Sequence, residues 1–224
     1  VRDIVVRWKK ILGGCLVDLQ AQVFGLEERL ERFLENPADA DPVPLLEETA
    51  AFLEEKLQVS IPGKLLPADP KEQAAFFLNR LDRPLRVCGV VENTGEPGGG
   101  PFHVRGRDGI VSPQIVETAQ VDMKSEEQRK QLEAATHFNP VDLVCGVRDR
   151  HGKPYDLSRY VDRNAGLMTR KSFDGRPLKA LERPGLWNGA MAGWNTVMVE
   201  VPLVTFSPVK TLNDLLRAEH QQES

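Results

Sequence analysis

Apolar side chains recur every three or four positions along the first 36 residues: Ile4, Trp8, Ile11, Leu12, Cys15, Leu19, Val23, Leu26, Leu30, Phe33 and Leu34. That period predicts one long amphipathic helix over 2–36. Gly13 and Gly14 interrupt it and predict a bend or a close approach by another backbone. The stretch "NPADADPVP" ends it, because proline cannot continue a helix and restricts the residue before it. A second amphipathic helix is expected over 44–57, then a connector "IPGKLLPADP". Asp69 followed by Pro70 reads as an N-cap and a first helical residue, opening a helix to about Leu81.

From Pro84 the period changes. "LRVCGVVE" and "FHVR" read as strands around the glycine-rich "ENTGEPGGGPF", with "RDGI" as a turn and "QIVETAQVD" as a further strand. "SEEQRKQLEAA" reads as a helix with a capping box, Ser125 at the cap and Gln128 three residues on. "FNPVDLVCGV" reads as a buried strand, 148–166 as loop with a short helix, and "LWNGAMAGWN" as another short helix. "TVMVEVPLVTF" reads as a strand, and "SPVKTLNDLLRAEHQ" as a closing helix capped by Ser207 with Pro208 first inside. Helices followed by alternating strands and helices predict an α/β sheet region behind a helical front. The division expected is 1–82, mainly helical and packed on the sheet, and 83–224, the α/β region.

Composition adds bounds. The chain has 224 residues with 41% hydrophobic and 28% charged, which predicts an ordered core. Net charge is −4, against a general nucleic-acid binder. Residues 1–60 hold 7 Lys+Arg and 12 Asp+Glu, so the acidity sits on the helical front and reads as solvated surface. The front's apolar stripe packs on the sheet or, as the competing reading, pairs with another subunit. Cys15, Cys88 and Cys145 include no C-x-x-C pair, and Cys88 and Cys145 lie in apolar runs where free cysteine acts as a small hydrophobe. The low, odd count predicts a reducing, cytoplasmic setting. No apolar run reaches the ~20 residues of a membrane span.

Familiar catalytic motifs are missing. There is no H-E-x-x-H, no G-x-S-x-G and no G-x-x-x-x-G-K-[ST] or G-x-G-x-x-G loop. The four histidines are scattered, and His137 beside "FN" reads mainly as a structural hydrogen-bonding group. What remains is a short set of candidates. The "GEPGGGP" loop lets a ligand approach backbone N–H groups, or is simply a mobile hairpin connection. Glu117, read as mid-strand, either faces solvent or accepts hydroxyl hydrogen bonds from a sugar. Asn139 caps a turn or presents an amide to a ligand. Lys210 lies in the first turn of the closing helix, where its ammonium opposes the helix dipole by about 0.3–1 kcal/mol. A bound phosphate would reverse that penalty, and an ordinary surface lysine is the competing reading.

The segments "GEPGGGPF", "IVETAQV", "FNPVDLVCGV", "LERPGLWNGAMAGWNTVMVEVP" and "FSPVKTLNDLL", in this order, closely resemble the C-terminal part of a bacterial family known as domain of unknown function family 4301. That family is similar, more remotely, to UDP-sugar pyrophosphorylases, which join a sugar 1-phosphate to UTP. The resemblance implies a nucleotide-diphospho-sugar transferase-like (GT-A-like) mixed sheet, of which this chain is the C-terminal half, preceded by a helical segment. It implies that Gly98, Gly99, Glu117 and Asn139 line a sugar site and that Lys210 contacts phosphates. Two departures stand out: Pro97 occupies the place of a basic residue before the glycine pair, and Pro140 and Val141 follow "FN" where relatives have polar residues.

The resemblance further implies Mg²⁺ in the intact parent protein, with its ligands in an N-terminal nucleotide-binding half that is absent here. The expected partners are a sugar 1-phosphate and a nucleotide, with no nucleic acid, no membrane and an oligomer possible through the helical front. The expected function of the parent is nucleotidyl transfer with UTP favoured, and this chain by itself is expected to be inactive. A non-catalytic sugar-nucleotide sensor or scaffold on the same fold is the alternative.

Overall fold

The computed structural model describes residues 1–39, 41–95, 98–138, 140–206 and 212–216. Helix α1 runs unbroken over Arg2–Glu35, α2 over Val43–Glu55 and α3 over Pro70–Leu81. Strand β1 is Leu85–Val90, β2 Gly100–Arg105 and β3 Val111–Val116; α4 follows at Glu126–Glu133. Then come β4 (Asp142–Gly146), β5 (Leu167–Phe173), β6 (Arg176–Glu182) and β7 (Asn195–Glu200). The chain is a mixed α/β protein. β1 is the centre of a three-stranded sheet in the order β4-β1-β7, antiparallel to β4 and parallel to β7. β2–β3 and β5–β6 are separate antiparallel hairpins.

α1 owes its length to the spacing of Leu12, Leu16, Leu19, Val23, Leu26, Leu30 and Phe33, alternately four and three residues apart and all buried. This is the stripe a helix needs to lie along a sheet. It packs with Leu53, Phe77, Leu81, Val87 and Val91 in one core. α1 continues through Gly13 and Gly14 without interruption, and neither admits another backbone, since a Cβ at either would meet nothing within 4 Å. Ile4 and Ile11 are both 42% exposed, because no described element covers the first turns. α3 is capped by Asp69, whose carboxylate accepts from the N–H groups of Lys71 and Glu72.

All six residues of β1 are buried, as the middle strand of a covered sheet requires. One face, with Leu85 and Val87, joins the helical core, and a Cβ on Gly89 would press on Leu12 and Val201. The other face carries Arg86, whose Nε donates to Thr196 Oγ1 on β7 at 2.9 Å.

Several expectations need correction. The third strand lies at 111–116 rather than 114–122, so Glu117 is not mid-strand but the N-cap of a 3-10 turn, Thr118–Gln120. Pro113 is accommodated inside that strand, opposite His103. In a two-stranded ribbon each strand is an edge, where a missing N–H costs little. Residues 186–194 form turns around Gly189, at φ +96°, and Asn195 opens β7, rather than the whole stretch being a helix. β7 stops at Glu200, short of Pro202. Cys145, expected inside, is exposed. The hairpin β5–β6 had no counterpart in the expected elements; Asp174 and Gly175 supply its two positive-φ turn positions. The closing helix over 207–221 falls mostly outside the described residues, which include a 3-10 turn at Leu212–Leu216.

Candidate functional site

Four segments far apart in sequence meet beyond the carboxyl ends of the parallel pair β1 and β7. The first leaves β1. Val91 accepts from the Phe138 N–H at 2.9 Å, Glu92 bridges His137, and Asn93 donates to the Thr136 carbonyl at 2.9 Å. These bonds lay the entry to β4 alongside the exit from β1.

The glycine run comes next. The Asn93 side chain accepts from the Gly95 N–H at 2.9 Å, and Gly95 takes φ +96°. Gly99 and Gly100 are buried between two other backbones. A Cβ on Gly99 would collide with the Val116 carbonyl and lie 2.8 Å from Glu117 Cα; one on Gly100 would lie 2.6 Å from the His137 carbonyl. The Thr118 hydroxyl donates to the Gly98 carbonyl. The glycines therefore serve close backbone packing, and the volume a Gly99 side chain would take is already filled by protein.

Glu117 follows β3 directly. Its carboxylate accepts from the Gln120 N–H while the Gln120 side chain accepts from the Glu117 N–H at 2.9 Å, a reciprocal capping box. Glu117 is half-buried, with its backbone against Gly99. The third segment is Thr136–Phe138. His137 Nε2 lies 3.2 Å from Glu200 Oε2 at the end of β7, and its Nδ1 lies 2.9 Å from Thr136 Oγ1. The fourth segment leaves β7, and Phe206 packs on Phe138 with ring centroids 5.3 Å apart.

The structure thus brings Gly98, Gly99 and Glu117 together and sets the start of the F-S-P-V-K segment against the "FN" segment. Asn139 and Lys210 themselves lie outside the described residues. Among the described residues, no three His, Cys, Asp or Glu side chains are grouped to hold a metal ion. No helix among them is long and apolar enough to cross a membrane.

A cavity of about 740 Å³ opens along the β2–β3 hairpin. It shares Val116 and Gln120 with the Glu117 turn, but its far end is walled by Arg80, Arg83 and Arg159. Sequence reasoning passed over these arginines. The signal lay in "RLDR" and "RGRD", two pairs of basic residues each holding an aspartate, which singly read as solvated surface.

No curated protein matches the chain. Among solved structures it is similar to a mutant UDP-glucose pyrophosphorylase from Leishmania major, crystallised in complex with UDP-glucose, at 21% identity and a TM-score of 0.35. The match covers 68% of this chain and 34% of that one, so the chain spans about a third of that structure's length. The family model described as Domain of unknown function (DUF4301) matches residues 1–221, and the chain belongs to that family.

Proposed function

We propose that this chain supplies the sugar- and phosphate-facing side of a site that joins a sugar 1-phosphate to a nucleoside triphosphate, UTP being favoured. The observation that carries the reading is the convergence of the glycine turn, Glu117, the Phe138 segment and the Phe206 segment beyond the carboxyl ends of β1 and β7. In open α/β sheets, ligands bind in the crevice outside those ends. The segments that converge are the ones whose motifs resemble the sugar side of uridylyltransferases.

In this reading an oxygen of the sugar 1-phosphate attacks the α-phosphorus of the triphosphate in line. A new P–O bond forms, the bond to the β-phosphate oxygen breaks, and pyrophosphate leaves. The residues of this chain position and neutralise. Glu117, fixed by its capping box with Gln120, presents a carboxylate as an acceptor for a sugar hydroxyl. The amide of Asn139 adds a donor and an acceptor, and the Gly98–Gly99 backbone holds the wall in place. Lys210 offsets phosphate charge in the transition state.

The test is pyrophosphate release by the intact protein from UTP and a panel of sugar 1-phosphates. Lys210→Ala is expected to lower kcat by about 10²–10³, the effect of losing one donor aimed at developing charge. Turnover at the parent rate by that variant overturns the reading.

A further inference from the structure

The cavity along β2–β3 falls in the range of about 300–1,000 Å³ found for small-molecule sites, at about 740 Å³. Five arginines line it: Arg80, Arg83, Arg105, Arg107 and Arg159. Three aspartates, Asp82, Asp108 and Asp162, also line it, so five minus three leaves a formal charge of +2. Asp108 pairs with Arg80 at 2.7 Å. Asp82 instead accepts from the Tyr155 hydroxyl at 2.9 Å, and Asp162 from the Asn164 N–H at 2.9 Å.

Among the described residues, the other four arginines make no ion pair with a carboxylate. Arg83 donates to the Asn79 carbonyl at 2.8 Å and to Asn79 Oδ1 at 3.2 Å, both neutral acceptors at the end of α3. Arg105 reaches the Gly109 carbonyl at 3.2 Å. Burial, with Arg80 nearby, pushes the Arg83 guanidinium down to about 10. Asp108 and Asp82 act on Arg83 from beyond ion-pair distance, so its donors meet only neutral acceptors, and a cleft of net positive charge is set up to receive an anion.

A second observation is independent of charge. Trp194 lines the cavity and is 6% exposed, and its indole N–H has no partner among the described residues. Arg80 Nε is buried without a partner as well. Buried donors in folded proteins are ordinarily satisfied. The residues that line the cavity thus include buried, unsatisfied donors as well as arginines without a carboxylate at ion-pair distance.

We propose that this cleft binds a phosphorylated small organic molecule, its phosphoryl oxygens taken by Arg83 and Arg159. Forked guanidinium donors match phosphate oxygens, and the cleft is lined by arginine rather than lysine. Its volume leaves room for a body beyond the phosphate. Asn195 and Thr196 put its arginine-lined end at the amino end of β7, while Val116 and Gln120 border it on the side of the Glu117 turn. It stands or falls apart from the nucleotidyl-transfer reading.

Isothermal titration of the intact protein at low salt tests it, with ribose 5-phosphate, phenyl phosphate and inorganic pyrophosphate as probes and ribose and phenol as uncharged controls. At least one organic phosphate is expected to bind with Kd below about 1 mM, and neither control to bind. Arg83→Gln and Arg159→Gln are each expected to weaken binding by about tenfold or more, whereas Arg170→Gln on the β5–β6 hairpin leaves it unchanged. Arg159 is exposed, so its variant should keep the parental unfolding midpoint and report on binding even where Arg83→Gln disturbs α3. Failure of every phosphate probe to bind, or parental affinity in Arg159→Gln, overturns the proposal. Binding of pyrophosphate with no gain from an organic body overturns the organic ligand and leaves an inorganic anion.

Discussion

Glu27 lies on the buried stripe of α1, four residues after Val23 and three before Leu30. It is 2% exposed, and its Oε1 has no partner among the described residues. Burial first, and then the charge of Asp82, pushes its carboxyl up from 4.5 to about 8; Arg150 opposes this and Asp149 adds to it. Arg150 is itself engaged by Glu31. In the unfolded chain Glu27 ionises near 4.5, so between 4.5 and about 8 folding takes up a proton. The folded value is the raised one. Its contribution is therefore fully present below pH 4.5 and is lost as pH rises through about 8. At about 1.4 kcal/mol per pH unit, the whole window amounts to about 5 kcal/mol. That is large against a typical total stability of about 5–15 kcal/mol. Glu27→Gln keeps the shape and removes the titration. Urea unfolding from pH 5 to pH 8 should show the parent losing about 4 kcal/mol more than the variant. Parallel stability curves would refute the reasoning.

Other expectations follow from the same contacts. Gly99→Ala should lower stability by about 1–3 kcal/mol in thermal or urea unfolding, because its Cβ meets the Val116 carbonyl. Gly13→Ala, where a Cβ meets nothing within 4 Å in mid-helix, should raise stability by about 0.5–1 kcal/mol. Arg86 is 2% exposed and held by Thr196 Oγ1 and the Met191 sulfur, with no carboxylate. Arg86→Met should therefore be neutral or stabilising by about 1–4 kcal/mol, whereas Thr196→Val should cost about 1–3 kcal/mol by orphaning the guanidinium. Unfolding curves for the pair decide this, and a large loss in Arg86→Met would contradict it.

The elements legible in the sequence are those whose cause lies within a few residues. α1 follows from its own apolar period, α3 from Asp69 and Pro70, and α4 from Ser125, which accepts from the Gln128 N–H at 3.4 Å. Even there a detail differed: the Gln128 side chain turns to the Asp122 N–H instead of completing a capping box with Ser125. Strand limits were less legible. Pro113 looks like a breaker until pairing with β2 puts it on an edge, and this moves Glu117 from strand to turn. The β5–β6 hairpin carries an Asp-Gly turn signal, but its strands are charged and mostly exposed, so no apolar alternation announces them.

The glycine run shows the same division at the site. The sequence called for residues without Cβ at 98–100, and a ligand and a backbone make equal demands of that kind. Only the fold reveals that Val116, Glu117 and His137 occupy the space beside Gly99 and Gly100.

By itself the sequence determined the helical front, the α/β character of the rest and the family to which the chain belongs, since periods, caps and motifs are written in neighbouring residues. The tertiary structure decided which residues share a place. Arg86 and Thr196 are 110 positions apart and Glu31 and Arg150 are 119 apart, and nothing local to either partner specifies the other. Strand order and register bring the motif segments to one end of the β1–β7 pair and Arg80 and Arg83 to the other, because burying both faces of β1 leaves few ways to arrange what surrounds it.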